Sequence, residues 1–313
     1  MRVMRSTDVL AELAAITVLL AACEAGPTAS SSTGSLPGQG KPTIVLGNTN
    51  SVEQVLLGEL YAQAFRAKGF IVDLKPNIAG SQQLDTAFQA GRINAYPEYL
   101  GEVAASDAGY AQPLTSEAQT EQIANEYEQR HGATVMMPMT PFSKTDQLIA
   151  LKTFAQGKHL TTIDQLKRLG RIKFGTPPAA QSRYAGYPGL QQAYGLTNLE
   201  IVSLDAGASI YAALDSQAVQ IAEAISTDPQ LAGGAYAMLG DPKNLFGFQH
   251  VALIINTSLL NRLGSAFQHT YTSVTNLLTV DAMRSLNAAV VLQGKIPASV
   301  AHAFLVANHL LSS

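Results

Sequence analysis

The stretch TIVLGNTNSVEQVLLGELYAQAFRAKGFIVDLKPNIAGSQQLDTAFQAGRINAYPEY, residues 43–99, decides the fold. Its opening TIVLGN (43–48) is β-branched and aliphatic and predicts a strand. Ser51 and Gln54 then have the three-residue spacing of a capping box that opens a helix. Val55, Leu56, Leu60, Ala64 and Phe65 recur at helical spacing until Gly69 stops the run. FIVDLKPNI (70–78) reads as a second strand, SQQLDTAFQAG (81–91) as a second helix, and INAYPEY (93–99) as a third strand running into a turn. Strand, helix, strand, helix, strand predicts a parallel sheet wrapped by helices, an α/β fold.

A comparable succession begins later, with RIKFGTP (171–177), PGLQQAYG (188–195), LEIVSLD (199–205), SIYAALDSQAVQ (209–220) and IAEAIS (221–226). A mainly helical stretch, residues 116–131, lies between the two units, and HVALIIN (250–256) reads as a strand with a helical tail. Two α/β units in tandem predict two lobes. Ligands of open α/β sheets gather outside the carboxyl ends of the strands. That places Tyr96-Pro97-Glu98-Tyr99 at a crevice, where the proline interrupts the ladder and strand alternation sends one tyrosine to the core and the other to the cleft.

The remaining features bound the function. Arg2 and Arg5 precede an apolar run over residues 13–22, too short to span a bilayer and suited to the core of a signal peptide. Residues 24–41, rich in Ser, Gly, Pro, Thr and Ala, predict a flexible tether. Cys23 is the only cysteine, so no intramolecular disulfide forms. A net charge of -3 and a pI near 6.1, without a basic stripe, exclude nucleic acid as partner. The six histidines show no HxH or HExxH spacing, and no GxSxG, Walker or GxGxxG motif is present. Neither a metal, a cofactor nor catalysis is therefore expected.

Several motifs together resemble a known family. Leu20-Ala21-Ala22-Cys23 resembles a bacterial lipobox, which implies a leader over 1–22 and a lipid on Cys23. GELYAQAFRAKGF (58–70), AFQAGRINAYPEYLG (87–101), FGTPPAAQSRYAGYPGLQQAYGL (174–196), ISTDPQL (225–231), NLF (244–246) and SLNAAV (285–290) resemble the substrate-binding lipoproteins of osmoprotectant ABC importers. Those proteins handle glycine betaine, carnitine, choline or proline. The resemblance runs from about residue 43 to the end and implies a two-lobed periplasmic-binding-protein fold of type II. Such a flytrap has two interlobe crossings, with a first lobe of residues 43–146 plus 250–313 and a second of 147–249. A lipid-anchored tether over 23–42 would hold it, as a monomer, on the extracytoplasmic face of the cell membrane. Its partners would be a small-molecule solute and the transmembrane subunits of an ABC permease.

The resemblance also assigns roles. A trimethylammonium group is held by the negative faces of aromatic rings, and a carboxylate by arginine or backbone amides. Tyr99 matches a position of the family's aromatic cage, and Arg183 matches the arginine that grips the ligand carboxylate. The other three cage positions fall at Asp146, Ile225 and Gln249, and Glu102 replaces a small threonine. One ring in place of four implies weak or absent glycine betaine binding. It implies instead a cleft of Tyr99, Glu102, Asp146, Gln249 and His250 suited to a polar or hydroxyl-bearing ligand. Asp228 either caps a helix or faces the ligand. Gly80-Ser81 either offers donors or turns the chain, and Tyr184 and Tyr187 either replace rings or pack a loop. Two other classes remain: a lipid-anchored α/β hydrolase or transferase, which would need a nucleophile with a matched base, and a sensory or scaffold lipoprotein that no longer transports.

Overall fold

The computed structural model describes residues 35–110, 114 and 116–312. The leader over 1–22, Cys23 and the tether as far as residue 34 lie outside the described residues. The packed body begins ahead of the first strand. A turn at residues 37–40 is pinned by Gly38 N donating to Lys68 O at 2.8 Å. Gly38 has no room for a side chain, because a Cβ there would meet Phe70 N at 2.2 Å.

Strand β1 (Ile44–Thr49) leads into α1 (Val52–Ala67), whose first turn is capped by Ser51 accepting from Gln54 N. Strand β2 (Val72–Ile78), α2 (Ser81–Gln89) and β3 (Ala95–Tyr99) follow. A short helical segment, α3 (Leu100–Glu102), continues as a π-turn over Val103–Asp107, then come α4 (Glu117–Arg130) and β4 (Ala133–Val135). The chain crosses into β5 (Asp146–Leu151), α5 (Lys152–Gly157), β6 (Ile172–Thr176), α6 (Tyr187–Gln192), β7 (Leu199–Ser203), α7 (Ala208–Asp215), β8 (Ile221–Ile225) and β9 (Tyr236–Met238). It crosses back into β10 (Val251–Asn256) and ends in α8 (Thr257–Leu263), α9 (Ser265–Thr275), α10 (Val280–Val291) and α11 (Pro297–Ala307). Among the described residues no helix is long and apolar enough to cross a membrane.

The strands form two five-stranded sheets, ordered β2-β1-β3-β10-β4 and β7-β6-β8-β5-β9. The expected parallel pairing holds for β1 with β2 and with β3, but β10 pairs antiparallel to β3, with Leu253 opposite Pro97. The difference has a topological cause. β10 enters from the returning crossing, so no local pattern near residue 97 could reveal its direction. Pro97 also does not end the strand: β3 keeps its register with β10 as far as Tyr99 opposite Val251. What stops earlier is the ladder with β1, where Leu46 faces Ala95. The proline, which lacks an N–H, lies beyond that last pair.

Period-two alternation divides each sheet between two cores. In β10, Val251, Leu253 and Ile255 join the core under α1 and α9, while Ala252 and Ile254 join that under α2 and α4. Leu148 and Ala150 of β5 likewise face one core of the second sheet, and Ile149 the other. The first core is aromatic. Phe65 stacks on Phe267 with centroids 4.3 Å apart, and Tyr61 bonds Thr275 Oγ1 at 3.0 Å.

Phe267 is fully buried between α1 and the C-terminal helices. We expect Phe267→Ala to lower unfolding free energy by about 3–5 kcal/mol, measured by urea denaturation. A loss near zero would show that the C-terminal helices are not integral to the first core.

Candidate functional site

A cleft of about 450 Å³ opens between the two sheets. Its first wall comes from segments at the carboxyl ends of β1, β2 and β3: Asn50 and Ser51, Gly80 and Ser81, Tyr99 and Glu102. Arg183 and Ile225 form the opposite wall, and the crossings contribute Lys144, Asp146, Phe248 and Gln249. Those crossings run side by side. Lys144 N donates to Gln249 O at 3.0 Å, Gln249 N to Ser143 Oγ at 2.8 Å, and Ser143 and His250 form an antiparallel bridge.

Arg183 is held by the protein's own carboxylates. Its Nη2 donates to Asp146 Oδ2 at 2.7 Å and to Glu223 Oε1 at 2.8 Å. Glu223 sits inside β8, nearly inaccessible, and its second oxygen accepts from Thr176 Oγ1 at 2.8 Å. Burial and then the nearby Asp146 charge push its pKa up to about 7, against the pull of Thr176 and Arg183. Burial opposes the Arg183 charge, yet the two carboxylates outweigh it and raise the guanidinium pKa. Burial likewise raises Asp146, with Arg183 opposing.

Tyr99 is tied down on the other wall. Its hydroxyl donates to Glu53 Oε1 at 2.7 Å, and Asn287 Nδ2 donates to Glu53 Oε2 at 2.9 Å and to Thr227 O at 3.0 Å. Burial, and then Glu53, lift the phenol pKa well above its ordinary value, so Tyr99 remains a neutral donor. Lys144 Nζ lies over its ring, 4.9 Å from the centroid. Tyr96, three residues earlier and so on the opposite face of the strand, is wholly buried in the α2–α4 core and donates to Glu128 Oε1 at 3.1 Å.

The cleft brings together Tyr99, Arg183, Asp146, Glu102, Gln249, Ile225 and Ser81. Gln249 Oε1 accepts from Glu102 N at 3.0 Å, and Glu102 accepts from Ser106 Oγ. Asp228 does not line the cleft. It precedes the 3-10 turn Pro229–Gly233 without capping it, and its Oδ2 is consumed by Ile225 N at 3.1 Å and Tyr211 OH at 2.8 Å. Tyr184 and Tyr187 pack against the second sheet's core instead of supplying rings. His250 lies on the crossing, bonded to Thr140 O and facing Glu117 Oε1 at 3.2 Å, and is not among the lining residues.

Several contributors escaped the sequence reading. Phe246, Phe248 and Tyr110 add rings to the lining, and Lys144 adds a cation. Glu223 had a usable signal, a carboxylate inside the apolar strand IAEAIS, since a buried charge in a strand demands a partner. Lys144 and Glu53 had none, because their partners lie far away in the chain. Among the described residues, no group of three or more His, Cys, Asp or Glu side chains is placed to hold a metal ion.

Comparison with known proteins gives a consistent answer. Residues 42–307 match the family model described as the substrate binding domain of ABC-type glycine betaine transport systems. The glycine betaine-binding protein YehZ of Escherichia coli (strain K12) is 23% identical over 289 residues, 87% of this chain and 92% of that protein. A crystal structure of a glycine betaine/carnitine/choline ABC transporter superposes with a TM-score of 0.77 at 20% identity, covering 85% of this chain and 99% of that one. Apo YehZ from E. coli gives 0.73 at 21% identity, covering 86% and 99%. The two structures share the two-sheet α/β fold with this chain.

Glu98, beneath Tyr99, makes the first wall pH-sensitive. It is inaccessible, its Oε1 accepts from Tyr99 N at 2.8 Å, and its Oε2 has no partner among the described residues. Burial is the main cause that pushes its pKa from 4.5 up to about 8. The folded chain therefore keeps a proton that the unfolded chain releases between those values, so stability falls as pH rises through that window. We expect Glu98→Gln to flatten this slope and to gain on the order of 1 kcal/mol or more over wild type at the alkaline end. Urea melts across the window check it; identical slopes would show that Glu98 does not hold the proton.

Proposed function

Because the chain belongs to the family of substrate-binding domains of ABC-type glycine betaine transport systems, we propose that it captures one small polar solute in the intersheet cleft. It then hands that solute to the transmembrane subunits of an ABC permease. The proposed moving parts are lobes of residues 43–146 plus 250–313 and 147–249. The observation that carries this reading is the origin of the walls: Tyr99 and Glu102 come from the first sheet's side, Arg183 from the second, with the paired crossings between them. A solute touching both walls favours the closed arrangement, which is the form a permease would recognise.

Within the class of betaine, carnitine, choline and proline, or of more polar solutes, we place the ligand at the polar end. Asp146, Gln249 and Ile225 stand where the family's cage would have rings. Arg183 already holds two carboxylates, while Ser81, Asn50, Glu102 and Gln249 offer donors and acceptors. Weak or absent glycine betaine binding follows.

We further propose a leader over 1–22 and a lipid on Cys23, anchoring a monomer to the extracytoplasmic face of the membrane through residues 24–41. The support is the Leu20-Ala21-Ala22-Cys23 pattern after an apolar run. Cys23→Ser should remove the lipid, seen as a mass change and as loss of membrane partitioning. Unchanged mass and partitioning would refute the anchor.

For the cleft, a thermal-shift screen of betaine, carnitine, choline, proline, polyols and sugars should yield a stabilising solute, because binding raises stability by mass action. Tyr99→Ala and Arg183→Ala should each weaken that solute about tenfold or more, measured by calorimetry on protein verified as folded. Unchanged affinity in both variants would remove this cleft as the binding site.

A further inference from the structure

The Tyr99 ring, which matches the cage position, is already occupied by a cation belonging to the protein. Lys144 Nζ lies 4.9 Å from its centroid. Tyr99 as a whole residue is only 8% exposed, belongs to the first core, and has its hydroxyl committed to Glu53. Little of its surface is left for a second cation, and any that approached would meet the Lys144 charge. Lys144 is held there through its backbone, by the bond from its N to Gln249 O on the neighbouring crossing. Among the described residues its ammonium forms no ion pair.

The rest of the lining does not suit an anion either. The lining acids Asp146 and Glu102 match the lining cations Lys144 and Arg183 in number, and Arg183 is already bonded to Asp146 and to the adjacent Glu223, so no surplus of positive charge is left for an anion. Both of its bonds fall on Nη2, which leaves Nη1 and Nε for a neutral acceptor. Carboxylate and amide oxygens accept from hydroxyl groups, guanidinium and ammonium donate to them, and one hydroxyl serves both roles. Phe248 and Tyr110 add apolar faces on which the carbon side of such a molecule can lie.

We propose that Lys144 sets the ligand class of this cleft: it fills the cation place on Tyr99 and leaves an uncharged, hydroxyl-rich solute as the molecule the walls can hold. This deepens the solute-binding reading above and depends on it. The place of Lys144 is specific. It stands two residues before Asp146, where the chain leaves the hinge, so its side chain reaches Tyr99 across the crossing while its backbone stays paired.

The test is calorimetry on the full-length chain and on Lys144→Ala and Lys144→Met, with choline, glycine betaine, sorbitol and myo-inositol as probes. Melting curves confirm folding of each variant; Met keeps the stem and removes only the charge. We expect wild type to bind a polyol more tightly than choline, and both variants to gain about tenfold or more in choline affinity as the ring is freed. No gain for choline in either variant would overturn the proposal, as would a wild type that prefers choline or glycine betaine or that answers to neither polyol. Tight glycine betaine binding unchanged in the Lys144 variants but lost in Tyr99→Ala would overturn the role of Lys144 alone and leave the cleft standing. Solute binding insensitive to Tyr99→Ala as well would remove the cleft and the proposal together.

Discussion

The pairing of the two crossings is the constraint on which the rest of the molecule depends. Ser143 bridges His250, Lys144 N donates to Gln249 O, and Val251 N donates to Thr140 Oγ1 at 2.9 Å. His250 O in turn accepts from Leu100 N at 2.9 Å, so the end of β3, the start of β10 and the approach to β5 share one hydrogen-bonded ladder. Residues far apart in sequence, Tyr99, Lys144, Asp146 and Gln249, meet at one cleft for that reason. The proposed closure of the two walls would bend about this two-strand connection, since hinges are commonly a few residues between packed elements.

Burial of charge is the second theme of the cleft. A buried carboxylate needs a partner or a proton, and the molecule uses both solutions. Glu53 has its two oxygens satisfied by donors, Tyr99 OH and Asn287 Nδ2. Asp146 and Glu223 share Arg183. Glu98 is buried with one oxygen left without a partner among the described residues; the pull of Tyr99 N, at 2.8 Å, and of the Ser81 side chain does not offset that burial, and its pKa rises to about 8 instead. The walls are thus preorganised by bonds within the protein, and a solute must compete with them or use the atoms they leave over.

What the chain discloses in one dimension follows the range of the interactions. The alternation over residues 43–99 reveals β1, α1, β2, α2 and β3, because amphipathic periodicity and the Ser51 cap are local. Short strands such as β4 and β9, and the antiparallel insertion of β10, depend on pairing with distant chain and leave no local mark. The same holds at the cleft. Tyr99 is visible from its place after a strand, whereas Lys144 over its ring, Glu53 under its hydroxyl and Phe248 beside Gln249 arise only when the crossings come together. Arg183 is visible as a conspicuous cation in QSRYAGYPG, but its commitment to Glu223 depends on the β6–β8 pairing.

The central claim is that a solute held between both walls closes them about the paired crossings. Its most direct test is the distance between spin labels at Gln82 and Ser182, exposed positions beside Ser81 and Arg183, placed as cysteines in a Cys23→Ser background. With the best-binding solute of a thermal screen added to saturation, the account predicts a shift of the distance distribution to shorter values. A distribution unchanged while calorimetry shows the solute bound would contradict it.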